Sequence, residues 1–103
     1  MYIVVLVTAG NKVEAEKISR GLIESKLVAC VNIVEKIDSL FWWQGKIDQS
    51  PESLLVIKSR KSNFAKIVKL VKSLHSYDVP EIIALPIVCA DKAYLRWMDG
   101  VLR

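Results

Sequence analysis

His75-Ser76-Tyr77-Asp78-Val79-Pro80-Glu81-Ile82-Ile83-Ala84-Leu85-Pro86-Ile87 joins a helical pattern to a strand pattern. Upstream, Phe64, Ile67, Val68, Val71 and His75 recur at the spacing of one helix face, with Ser62 placed to cap its start. Downstream, Ile82 to Val88 is a continuous apolar run, read as a strand. Pro86 inside it removes a ladder donor, which places that strand at a sheet edge or at a bulge. A histidine, a tyrosine and two acids at such a junction mark a candidate site, because loops on a rigid scaffold carry function. A rigid connector with Tyr77 against the core is the competing reading.

Working outward, the same alternation recurs. Tyr2 to Thr8 is a β-rich run ending at Ala9-Gly10, after which Asn11 is placed to cap a helix with Glu14 as its capping-box partner. Ala15, Ile18, Leu22 and Ser25 share one face of that helix. Leu27 to Val34 is a second apolar run, followed by alternating residues through Trp43. Gln44-Gly45 offers a turn, so Ile33 to Ile47 reads as an arm of a long β-hairpin turning near Gly45. Pro51 is expected to interrupt the returning arm, which Ser53 to Ser59 resumes as a third strand. Asp91 is placed to cap a last helix with a stripe of Tyr94, Trp97, Met98 and Val101. The order predicts an α+β, ferredoxin-like βαββαβ antiparallel sheet with an extra C-terminal helix, in one domain spanning residues 1–103. Right-handed crossovers put the two main helices on one face.

Composition adds a demand for assembly. Hydrophobic residues make up 52% of the 103 residues, which is much for a small domain with proportionally large surface. The strand runs are apolar on both sides, the mark of strands buried on both faces. No run approaches the roughly 20 apolar residues of a membrane-spanning helix, so no membrane role is expected and copies of the same chain are the economical cover. Phe41, Trp42 and Trp43 are candidate interface anchors. The net charge of +4 is scattered, and Lys66, Lys69 and Lys72 at helical spacing read as a solvated face. Cys30 and Cys89 lie in apolar runs far apart, and are expected as free, buried thiols of a reducing compartment. Met1 leads straight into the first strand with no secretory pattern, so a cytoplasmic location is expected.

Chemistry is sparse. One histidine leaves little from which to build a nucleophile and base, and Gly10, Gly21, Gly45 and Gly100 are too isolated for a phosphate loop. His75, Cys30, Cys89, Asp78 and Glu81 are available metal donors without the close pairing of a strong zinc motif. Nucleic-acid binding is not expected, since an RNA-recognition motif stacks bases on central-strand aromatics and Ser53 to Lys58 contains none.

Five motifs in order carry a resemblance over the whole length. They are Leu27-Val-Ala-Cys-Val-Asn-Ile33, Ser39-Leu-Phe-Trp-Trp-Gln-Gly-Lys-Ile47, Glu52-Ser-Leu-Leu-Val-Ile-Lys58, His75-Ser-Tyr-Asp-Val-Pro-Glu-Ile82 with Ala84-Leu-Pro-Ile87, and Tyr94-Leu-Arg-Trp97. Together they resemble the CutA divalent-cation tolerance family. The resemblance implies a cytoplasmic homotrimer, similar in architecture to the PII signalling proteins, with a part in copper and divalent-metal tolerance and no established catalysis. Two positions depart from the family's pattern. Ser76 and Asp78 stand where it often has proline and glutamate, and Val7 and Leu74 stand where proposed copper ligands would be cysteine and histidine.

The expected protein is therefore a trimer with a polar pocket between subunits drawing on Lys58, His75, Tyr77 and Glu81. His75 and Cys30 are its candidate metal ligands. No cofactor is required, and copper or another divalent cation is expected to bind weakly. The rival reading is a PII-like scaffold or sensor of a small anionic ligand, or of an unidentified protein partner, with no metal role.

Overall fold

A computed structural model describes all residues 1–103. Its elements are β1 (Tyr2–Ala9), α1 (Lys12–Glu24), β2 (Cys30–Trp43), β3 (Lys46–Arg60), α2 (Phe64–Leu74), β4 (Ile82–Pro86) and α3 (Lys92–Val101), with a 3-10 turn at Lys61–Asn63 before α2. The four strands form one antiparallel sheet in the order β2-β3-β1-β4. This is the βαββαβ arrangement anticipated above, with the fourth strand at an edge.

Strand alternation sorts the side chains. Ile3, Val5, Val7, Leu55 and Ile57 point to one face, where α1 and α2 bury them with Ala15, Ile18, Leu22, Ile67 and Val71. Each large aliphatic side chain taken out of water there contributes about 1.5–3 kcal/mol. Asn11 caps α1 as expected: its side chain accepts from the Glu14 N–H at 2.9 Å. The reciprocal bond goes one residue further, from the Gly10 N–H to Glu14 Oε1 at 3.4 Å.

The other face carries Val4, Leu6, Leu54, Val56, Ile83 and Leu85 in register, and only α3 crosses it. Asp99 of α3 is held at one end by the Tyr2 hydroxyl at 2.8 and 2.9 Å and by Arg60 at 3.7 Å. Of the α3 stripe, Met98 alone is fully buried. Ile83 and Leu85 remain 49% and 50% exposed.

Four local expectations are corrected. Pro51 does not break the returning arm: β3 runs through it, opposite Asp38. Its missing N–H is tolerated because β1 pairs no further along β3 than Ser53, leaving that edge open. Ser62 does not cap α2. The chain enters through the 3-10 turn, and Asn63 spends its side-chain amide on the Leu27 carbonyl at 3.1 Å. Strand β4 stops at Pro86, so Cys89 lies beyond the strand in the connection to α3 and is exposed rather than buried. Cys30 is half-buried, because it points to the face the main helices leave open.

Candidate functional site

The C-terminal end of β1 meets three other segments. Gly10 follows the strand so closely that a Cβ there would lie 3.4 Å from the Tyr77 hydroxyl oxygen. Where α2 ends, His75 turns its ring inward and its side chain is 0% exposed. Nε2 lies 2.7 Å from the Thr8 carbonyl oxygen, and Nδ1 accepts from the Tyr77 N–H at 3.0 Å. Glu14 Oε1 approaches Nδ1 to 3.6 Å. The Tyr77 ring packs at 4.7 Å from the imidazole, and its hydroxyl donates to Glu52 Oε2 at 2.9 Å. Glu52 is buried at the base of the hairpin. A polar depression of about 540 Å³ opens beside this cluster, between Gly10, Lys12, Glu35 and Glu52.

The electrostatics follow from these contacts. Burial and the bond to Glu52 push the Tyr77 hydroxyl up to about 12. For Glu14, burial raises the carboxyl, but hydrogen bonds from Ser76 and Gly10 lower it, and the group ends below its ordinary value.

Lys58 belongs to another place. It faces the sheet side crossed by α3, where its ammonium contacts Asn32 Oδ1 and lies 3.8 Å from Cys30 Sγ. Tyr94 of α3 overlies Cys30, and burial followed by the Cys30 neighbour raises its hydroxyl. Lys58 pairs opposite Val4 and Thr8 opposite Leu54, four residues or about 13 Å apart along the strands. Glu81 is exposed and makes no ion pair within the chain.

One chain therefore brings His75 and Tyr77 together and leaves Lys58 and Glu81 apart from them. His75 and Cys30 do not converge either, and no three His, Cys, Asp or Glu side chains form a metal-holding group. Glu52 and Thr8 were not among the sequence candidates. Thr8 contributes only its carbonyl, which every residue possesses, and Glu52 opens one of the five motifs but nothing in the sequence joined it to Tyr77. Phe41, Trp42 and Trp43 lie near the hairpin tip, 39%, 73% and 58% exposed. Trp42 shares a face with Leu40 and Ile47, while Phe41 and Trp43 point the other way.

Comparison with known proteins gives a consistent answer. A family model described as CutA1 divalent ion tolerance protein matches residues 3–101. The chain is 46% identical over 101 residues to the chloroplastic protein CutA 1 of Oryza sativa, covering 98% of this chain and 57% of the rice protein. It is 43% identical over 95 residues to the divalent-cation tolerance protein CutA of Thermus thermophilus, covering 92% of each. The structure of the periplasmic divalent cation tolerance protein CutA from Archaeoglobus fulgidus superposes with a TM-score of 0.97 at 42% identity, covering both chains completely. The chain spans little more than half the length of the plant relatives it matches.

Proposed function

Because the chain belongs to the CutA1 divalent ion tolerance family, we propose that it serves divalent-cation tolerance as a homotrimer, without catalysis. The observation that carries the assembly is the uncovered apolar surface. Ile83 and Leu85 on the second sheet face, and Leu40, Trp42, Trp43 and Ile47 on the hairpin, stay largely in water in one chain. Leu40, Trp42 and Ile47 share one face of the hairpin, an exposed apolar grouping of the kind that marks an interaction surface, and both edge strands, β2 and β4, offer unpaired backbone. Three-fold closure is supported by the resemblance to the PII-like architecture. Light scattering tests it: the mass of three chains is expected, and a stable folded monomer overturns it.

The cation part of the proposal is weak, exchangeable binding between copies. It is supported by the relatives' names and by the exposed carboxylates of Asp78 and Glu81 beside the edge strand. Lys58 supports an inter-subunit pocket in the same way. Covering its face buries an ammonium, which then requires a carboxylate such as Glu81 of a neighbouring copy, or a small anion. Calorimetric titration with Zn²⁺ and Cu²⁺ is expected to show weak reversible binding and no metal requirement for folding. A scaffold whose assembly is its whole function is the second reading, favoured by the lack of three converging ligands in one chain; no detectable metal binding by the trimer would select it. A cytoplasmic setting is also proposed. It is supported by the exposed, unpaired Cys89 thiol, which a reducing compartment preserves. No helix is long and apolar enough to cross a membrane.

A further inference from the structure

We infer that His75 is a hydrogen-bond clamp in its neutral Nε2–H form, and not a ligand for the divalent cations that the family implies. The inference deepens the cation reading above and takes from it only the choice of metal probe. An imidazole binds metal through a free ring lone pair. The Thr8 carbonyl can only accept, so the nitrogen 2.7 Å from it carries the proton. The Tyr77 backbone N–H can only donate, so Nδ1 at 3.0 Å keeps its lone pair and spends it there. Both nitrogens are occupied, by main-chain groups that no side-chain rotation removes, in a side chain sealed from solvent.

The surroundings do not supply a metal site either. Glu14 is the one carboxylate near Nδ1, and it is already held by Gly10 and Ser76. Glu52 is reached only through the Tyr77 hydroxyl. A tight copper or zinc site takes three or four converging ligands, and the donor set at this end does not fit one. A metal at Nδ1 would have to displace the Tyr77 N–H and break that hydrogen bond.

The clamp has a constructive role instead. It ties the connection after α2 to Thr8 near the end of β1, which sets the Tyr77 backbone and lets the phenol reach Glu52 at the hairpin base. His75 is thus a positioning residue for Tyr77. His75→Gln retains a donor near the position of Nε2, whereas His75→Ala retains nothing.

The imidazole nitrogens of the parent protein are observed by ¹⁵N–¹H NMR at neutral pH, with and without Zn²⁺. Zn²⁺ and Cu²⁺ are titrated calorimetrically into the parent, His75→Gln and His75→Ala. A protonated Nε2 and bare Nδ1, both unmoved by Zn²⁺, are expected. Metal affinity is expected to stay the same in both variants, while Tm falls in His75→Ala and is partly restored in His75→Gln. A protonated Nδ1, a Zn²⁺-induced shift of either nitrogen, or a loss of affinity of about tenfold or more in His75→Gln overturns the inference. If His75→Ala fails to fold, the parent spectrum and the glutamine variant decide. If the parent binds no Zn²⁺ at all, the cation proposal fails while the tautomer and the Tm rescue still judge the clamp.

Discussion

Tyr77 is the residue where burial, hydrogen bonding and charge meet. Its hydroxyl satisfies the buried Glu52 carboxylate, so Tyr77→Phe leaves that carboxylate short of a donor and is expected to destabilise the fold by about 1–3 kcal/mol in denaturant titration. The same bond sets an alkaline limit. The hydroxyl's pKa is raised from 10.0 to about 12 in the folded state, so its contribution is complete below pH 10 and lost as pH rises through 12. Parent stability should fall across that window, and Tyr77→Phe should flatten the fall; an identical alkaline profile in the variant would remove Tyr77 from the account. Glu14 has the opposite sign. Its lowered carboxyl contributes stability above its ordinary range that is lost as pH falls through the folded value.

At the scale of elements, hairpin and helix entries depend on single positions. The β2–β3 turn holds Gln44 and Gly45 at φ of 51° and 77°, the left-handed pair of a type I′ turn. Gly45→Ala places a side chain in that region and is expected to lower stability by about 1 kcal/mol. Gln44→Asn, a residue better suited to the turn, is expected to raise it; thermal melts of the two variants should move in opposite directions. This turn was legible because Gln-Gly punctuates alternating residues, and the Asn11 cap was legible because its partner lies three residues away. Ser62 misled because the true arrangement is not local. Asn63 and Ser59 both donate to the Leu27 carbonyl, and no window around residue 62 contains Leu27. Pro51 misled for a similar reason: whether a proline breaks a strand depends on which edge has a neighbour, and that is decided by where β1 ends. In the site, His75 and Tyr77 stood out as a motif, but Thr8 and Glu52 join them only through the tertiary fold.

Across the whole molecule, the apolar surface left by one chain dictates what further copies must do. Trp42→Ala removes the most exposed of the three hairpin aromatics, and interface anchors of this kind contribute about 2 kcal/mol or more. Dissociation at higher protein concentration than the parent is expected in sedimentation velocity, with the far-UV circular dichroism unchanged; a parent-like dissociation profile would mean that the ring is no anchor. The strand order has a consequence for how the chain comes to be folded. Of the four strands β1 is made first, yet it occupies the middle of the sheet, between β3 and β4. Val5 therefore waits for Ile57 and then for Ala84 before its two edges are satisfied, whereas the β2–β3 ladder closes across a two-residue turn. Sequence-distant pairings bear the larger loop-closure entropy, so the hairpin is the natural nucleus. The nascent chain carries an apolar first strand with at least one edge open until β4 is made, an interval in which a chaperone has most to hold.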